Sequence, residues 1–88
     1  MNTTNYPYFL AQSGMTQLKA AVHMVLKEAP SEGYKNSEIG RLLGIYTGHV
    51  EHEGHISRTL LAIMESEGVA EQDKATKHWK LRPTGFSD

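Results

Sequence analysis

The clearest alternation of apolar and polar positions lies in residues 37–69. Two helical patterns occur there, each with apolar residues three and four positions apart, so that they share one face of a helix. The apolar positions are Ile39, Leu42 and Leu43 in the first pattern and Ile56, Leu60, Ile63 and Met64 in the second. Gly44 and Gly68 follow these patterns, where a helix can end. We therefore predict two helices joined by a turn, with Val69 beginning an extended segment.

A further helix is predicted over residues 16–29, with Thr16 or the earlier Ser13 as its N-cap. Pro30 and Gly33 follow it and favour a helix end. Its apolar stripe consists of Leu18, Val22, Val25, Leu26 and Ala29. This stripe has the width expected of a helix that packs on a core with one face.

The remaining pattern predicts a β-hairpin. Residues 69–72 and 77–81 are strand candidates separated by the polar sequence DKAT. Trp79 is expected to pack on the helices, and a very short third strand near Tyr34 would pair with the hairpin. Ser37 or Asn36 is expected to cap the helix that follows.

The first residues show no helical period. Pro7 disfavours helix for Tyr6 before it, which predicts an extended arm. The aromatic side chains of this arm either pack back on the domain or form a homodimer contact through Tyr6, Tyr8, Phe9 and the first helix, because exposed aromatic clusters seldom remain solvated.

The length of 88 residues corresponds to one domain. We divide it into an aromatic-containing arm at 1–14, a domain at 15–82 and an irregular tail at 83–88. The chain has no Cys, which excludes disulfides and thiolate metal ligands. It also lacks an apolar run of membrane-spanning length and the pattern of a signal peptide, so we expect a cytoplasmic protein.

The sequence ISRTLLAIMESEGVAEQ, followed by KHWKLRP, resembles the recognition helix and wing of winged-helix transcription regulators, and EIGRLLGI resembles the preceding helix. The matching residues are Ile56, Ser57, Arg58, Leu60, Glu67, Gly68, Val69 and Trp79. The resemblance covers residues 16–82. It implies a mostly α fold with a small β-hairpin (α+β), a winged helix-turn-helix of three helices and a two- or three-stranded wing. It also implies sequence-specific binding of double-stranded DNA by a small bacterial or archaeal-type transcription regulator.

In that family the last helix, here about residues 55–67, enters the major groove and the hairpin contacts the backbone. Arg58 is the strongest base-reading candidate, because its planar fork matches guanine. The residues expected to reach base edges are His55, Ser57, Arg58 and Thr59, opposite a buried Ile56. Phosphate contacts are expected from Lys74, Lys77 and Lys80 on the hairpin, and from Lys35 and Ser37 at the start of the preceding helix.

The formal net charge of −1 counts against simple DNA binding, since phosphate contacts dominate affinity. Glu51 and Glu53 in the turn would also repel phosphates. Two alternatives follow: a winged-helix protein–protein interaction module, and an accessory DNA-recognition domain of a DNA-processing system. No phosphate-binding glycine loop, dinucleotide fingerprint or convincing catalytic triad is present, so we expect neither an enzyme nor a cofactor.

The turn between the two helices departs from the family. It has ten residues, YTGHVEHEGH, where about four are usual. It contains His49, His52 and His55 at spacings of three, and imidazole is a ligand that zinc accepts. A metal-responsive site is one interpretation, and a polar loop that lengthens the turn is the commoner one.

Overall fold

The computed structural model describes residues 5–47 and 54–83. In these ranges the chain forms three helices followed by two short strands, a mostly α arrangement with a small β-hairpin, as predicted. The elements are α1 (Tyr6–Lys27), α2 (Asn36–Leu42), α3 (His55–Ser66), β1 (Ala70–Gln72) and β2 (Trp79–Leu81).

The two strands pair antiparallel, with Ala70 opposite Leu81 and Gln72 opposite Trp79. Tyr34 forms an isolated bridge on the other side of β2, where its N–H donates to the Trp79 carbonyl at 3.0 Å and its carbonyl accepts from the Trp79 N–H at 2.6 Å. The predicted third strand near Tyr34 is therefore present as a single bridged residue. It ties the segment between α1 and α2 to the hairpin.

The core lies where α3 packs against α1, α2 and β1. Its buried side chains come from every element: Val22, Leu26, Ile39, Leu60, Leu61, Met64, Ala70 and Trp79. Trp79 is only 6% exposed, which confirms that it packs on the helices. Burial of these apolar groups stabilises the arrangement and holds α3 between the other two helices.

The predicted start of α1 is wrong. The helix begins at Tyr6, ten residues before the predicted position, so residues 6–14 are helical and do not form an extended arm. Pro7 lies in the first turn, where its missing N–H would have no partner within the helix in any case. Thr16 does not cap the helix: it lies inside it, and its hydroxyl donates to the carbonyl of Gln12 at 2.9 Å.

α1 has 22 residues and is the longest helix in the described ranges. Neither it nor α2 or α3 is long and apolar enough to cross a membrane. It ends at Lys27, shortly before Pro30, as the sequence predicted. Val22 and Leu26 are its buried residues, and Leu18 and Val25 pack against the core beside them, which confirms most of the predicted stripe.

Two apolar positions on the other helices were placed on the wrong face. Leu42 is 60% exposed and Ile56 is 38% exposed, whereas Ser57 is fully buried. The inner face of α3 is formed by Ser57, Leu60, Leu61 and Met64. These positions have the same helical spacing as the predicted set, so the period alone does not distinguish the two faces.

Candidate nucleic-acid interface

The start of α3 is anchored on α2. Gly54 is the N-cap of α3 and has a φ of 80°, in the left-handed region that glycine adopts without strain. Its carbonyl oxygen accepts hydrogen bonds from the Arg58 N–H at 2.9 Å, from the Ser57 hydroxyl at 3.2 Å and from the Asn36 side-chain amide at 3.2 Å. The last of these contacts joins the first residue of α2 directly to the cap of α3.

Tyr46 fills the angle between the two helices. A side-chain carbon added at Gly40 would lie 3.0 Å from Tyr46, and one added at Gly54 would lie 2.7 Å from it. The guanidinium of Arg41 lies over the Tyr46 ring, 4.5 Å from its centroid, in cation–π geometry. Sequence reasoning did not identify this contact. The available signal was Gly40 itself, because a glycine inside a helix weakens the helix and often marks close packing.

The outer face of α3 begins with the residues that were expected to read bases. His55, Arg58 and Thr59 are exposed, and Ile56 lies among them. Ser57 is the exception and corrects the prediction: its side chain is fully buried against α2, so it cannot contact a base. The exposed face therefore carries one arginine, one histidine, one hydroxyl and one apolar side chain within two turns.

The hairpin loop is ordered by Asp73. Its carboxylate accepts from the backbone N–H groups of Ala75 and Thr76, each at 2.8 Å, and its N–H donates to the His78 carbonyl at 2.9 Å. Lys77 has a left-handed φ of 67° and donates its N–H to the Asp73 carbonyl at 2.8 Å. These contacts close the loop and leave the side chains of Lys74 and Lys77 exposed.

The same contacts alter the acidity of Asp73. The backbone N–H groups of Thr76 and Ala75 stabilise the carboxylate and hold the pKa of Asp73 below its usual value, and the positive charge of Lys80 lowers it further. Asp73 therefore remains ionised in the native loop. It places a fixed negative charge among the hairpin lysines.

Lys80 and His78 connect the hairpin to the segment before α2. The side-chain stem of Lys80, which is half-buried, passes over Gly33. The His78 Nδ1 lies 3.1 Å from the carbonyl oxygen of Glu32, and because a carbonyl only accepts, the ring nitrogen donates. Lys80 is thus less accessible than Lys74 and Lys77, which are the more exposed cations of the hairpin.

The predicted N-cap of α2 is wrong, and the phosphate contacts expected from Lys35 and Ser37 stay a prediction. The N-cap is Lys35, not Ser37 or Asn36, and its backbone N–H donates to the Glu38 carboxylate at 2.7 Å. The Glu38 carboxylate places a negative charge in the first turn of α2, which would repel a phosphate there. Lys35 is exposed there and Ser37 is half-buried within the helix.

Most of the histidine-rich turn falls outside the part of the chain that the structure describes. His49, His52 and the acidic residues Glu51 and Glu53 lie outside the described residues; His55, the first residue of α3, is exposed. In residues 5–47 and 54–83 no group of three or more metal-binding side chains comes together. The N–H of Gly54 donates to the Thr47 carbonyl at 3.1 Å, so two residues near the opposite ends of the turn are in contact.

Comparison with known proteins gives no relative. No family model matches the chain, and no curated protein and no solved structure is significantly similar to it. The resemblance to winged-helix regulators therefore depends on the quoted motifs alone. The function has to be argued from the arrangement of α3 and the hairpin.

Proposed function

We propose that the chain is a winged helix-turn-helix domain that binds double-stranded DNA sequence-specifically, as a small transcription regulator. The order of its elements supports this, since two helices joined by a turn are followed directly by a hairpin. The bridge between Tyr34 and Trp79 adds the short third strand expected of such a wing. In this proposal α3 is the recognition helix, and β1, β2 and their loop form the wing.

The observation that carries the proposal is the division of α3 into two faces. One face packs against α1, α2 and β1, and the other carries His55, Arg58 and Thr59 to solvent in its first two turns. A helix about 10–12 Å across fits a major groove about 12 Å wide, and its N-terminal residues reach the base edges there. Because α3 is already packed against α1, α2 and β1, it would lose little conformational freedom on entering the groove.

The exposed side chains match the chemistry of the groove. The Arg58 guanidinium can donate two hydrogen bonds to one guanine, which is worth about 1–3 kcal/mol of discrimination. Thr59 offers a hydroxyl to a neighbouring base, and the exposed part of Ile56 can contact a thymine methyl group. Lys74 and Lys77 would bind phosphates, which add affinity without sequence preference.

The proposal is tested by an NMR titration of the ¹⁵N-labelled chain with a short mixed-sequence duplex at low salt. We expect amide shifts concentrated on residues 55–59 of α3 and on the loop between β1 and β2. Absence of shifts in both regions at saturating DNA would refute DNA binding. Selection of bound sequences from a random duplex pool would then supply the preferred site.

Three variants separate the roles within the interface. Arg58→Ala should abolish the preference for the selected site, whereas Lys77→Ala should weaken all duplexes about equally. Lys27→Ala is the matched control, because it removes an exposed positive charge that belongs to α1 and to neither α3 nor the hairpin. If Lys27→Ala weakened binding as much as Lys77→Ala, general charge and not the wing would explain the affinity.

A protein–protein interaction module is the second candidate. Ile56, in the first turn of α3, is 38% exposed, and the formal net charge is −1, both of which suit a protein partner. The titration distinguishes the two functions. DNA binding should weaken steeply with salt, while binding of an apolar protein surface should not.

A further inference from the structure

The N-terminal half of α1 extends beyond the core. Residues 6–14 are helical, and every one of them is exposed. Tyr6, Tyr8, Phe9 and Leu10 are 55%, 63%, 47% and 55% exposed, respectively. No charged residue occurs before Lys19 in the sequence. Such a surface is expected to be covered, because contiguous exposed apolar patches usually mark an interface.

This half of α1 projects past the part of the helix that carries the buried Val22 and Leu26. Its nine residues extend about 14 Å along the helix axis. They continue a helix of 22 residues whose other half is packed, so what needs a partner is their exposed apolar surface and not their helical state. Gly14 lies at its end, and no group in residues 5–47 and 54–83 comes within 4 Å of a side-chain carbon added there, so no contact in these ranges accounts for a helix-weakening glycine at this position.

A complementary surface lies at the other end of the same helix. A shallow apolar groove of about 450 Å³ runs between α1 and α2, lined on α1 by Ala21, Met24, Val25 and Glu28. Leu42 on α2 lines its other side. Met24 is 67% exposed and Leu42 is 60% exposed. This groove explains the exposure of Leu42, which the helical pattern had placed in the core.

The two apolar ends share one line along α1. Tyr6 and Met24 are 18 residues apart, which is five turns at 3.6 residues per turn. Leu10, Gly14 and Gln17 fall near the same line between them. One stripe of α1 therefore carries apolar residues at both ends and small or neutral residues in the middle. It lies away from the buried face of the helix, which carries Val22 and Leu26.

We propose that this stripe binds a second copy of the chain, with the two α1 helices antiparallel about a two-fold axis near Gln17. Leu10 of each copy then lies over Met24 of the other and enters its groove. Gln17 faces itself at the axis, and Gly14 allows the two backbones to approach. This proposal is independent of DNA binding, since it uses neither α3 nor the hairpin.

A second copy fits better than an unrelated partner, because the stripe is complementary to itself. In a two-fold interface each contact occurs twice, and antiparallel pairing matches the apolar end of one copy with the groove of the other. It also places Glu28 at the N-terminus of the opposite α1, where a negative charge is favoured. Tyr6, Leu10, Met24 and Leu42 are each more than half exposed, and pairing would remove these apolar side chains from water in both copies.

The oligomeric state of the full chain tests this proposal, measured by light scattering after size exclusion. We expect twice the chain mass of 9.8 kDa. Leu10→Glu and Met24→Lys should each give a monomer, and the double variant L10E/M24K should restore the dimer, because the new charges would face each other between copies. Gln12→Glu is the matched control, an exposed position on the opposite side of α1 that should stay dimeric.

Cross-linking tests the register. The chain has no native Cys, so Gln17→Cys introduces one thiol per copy. Two residues at the axis are within disulfide reach, whereas Gln12→Cys would place its thiols about 15 Å apart along the helices. Rapid covalent dimerisation of Gln17→Cys alone supports the proposal. A monomeric native chain, a dimer that survives Leu10→Glu, or equal cross-linking of both Cys variants would overturn it.

Discussion

Gly33 is the position at which the hairpin approaches the helical segment most closely. Its φ is 83°, and a side-chain carbon there would overlap the Trp79 carbonyl oxygen and lie 2.7 Å from the Lys80 stem. That carbonyl accepts the N–H of Tyr34, so the contact cannot relax without loss of the bridge. Gly33 therefore determines whether the third strand can form.

We expect Gly33→Ala to lower the free energy of unfolding by about 2–4 kcal/mol, from backbone strain and overlap together. Gly68→Ala is the control, since Gly68 has a similar φ of 78° but no group within 4 Å, and it should cost only about 1 kcal/mol. Denaturant unfolding of both variants measures the difference. Equal losses would show that strain alone, and not the approach of Trp79, makes Gly33 necessary.

Asp73 makes the order of the hairpin loop dependent on pH. Because its pKa is lowered in the folded chain, its contribution to stability is complete above the ordinary pKa of an Asp carboxyl and is lost as the pH falls through the lower native value. NMR titration of the carboxyl carbon should give a pKa below that of an unfolded Asp, together with shifts of the Ala75 and Thr76 amides. Asp73→Asn keeps an acceptor oxygen but has no proton to gain, so the pH-dependent shifts of the Ala75 and Thr76 amides should disappear. If these shifts persisted unaltered in Asp73→Asn, another group would be responsible for them.

The elements whose boundaries depend on local patterns were predicted well. The spacing of apolar residues and the polar DKAT turn placed α2, α3 and the hairpin within a few residues. The start of α1 was missed, because Pro7 was interpreted as a barrier when it stands in the first turn. No feature of the sequence from 6 to 14 distinguishes an exposed helix from an extended arm.

The faces of α3 could not be assigned from its period. Ile56 and Ser57 are adjacent, and each forms a regular stripe with Leu60 and Met64. The choice depends on α2, where Gly40 leaves space for a serine hydroxyl: a side-chain carbon on Gly40 would lie 3.0 Å from it. This is a long-range packing constraint, and it turns the exposed face of α3 by one residue.

Together with the proposed DNA binding, the burial of Ser57 and the exposure of Thr59 predict that the Thr59 hydroxyl, and not that of Ser57, contacts DNA. Ser57→Ala should leave the Kd for a selected duplex within about twofold, because that side chain is buried. Thr59 lies two residues further along α3 and is exposed. Thr59→Ala should weaken binding by about 1 kcal/mol, roughly fivefold, through loss of one hydrogen bond. Fluorescence anisotropy compares the two at one salt concentration. A larger effect from Ser57→Ala, with unchanged thermal stability, would contradict the assigned face.

For the whole molecule, the position of the charges matters more than their sum. The ion pair between Lys19 and Glu67, at 2.9 Å, joins α1 to the end of α3 and neutralises one of the acidic residues near that end. Glu38 is engaged at the cap of α2. Lys74 and Lys77 project from the hairpin loop, so a chain of net charge −1 still presents a local basic surface.

The two proposals together predict how DNA affinity depends on salt. If Lys74 and Lys77 each neutralise one phosphate, a single copy should show a slope of about −1.8 in a plot of log K against log salt concentration, and a dimer on two half-sites about −3.6. Leu10→Glu should therefore halve the slope without moving the amide shifts on α3. Lys77→Ala should reduce it by about 0.9 per copy. A slope near zero would show that the hairpin lysines do not contact phosphates. A slope unchanged by Leu10→Glu would show that each copy binds DNA alone.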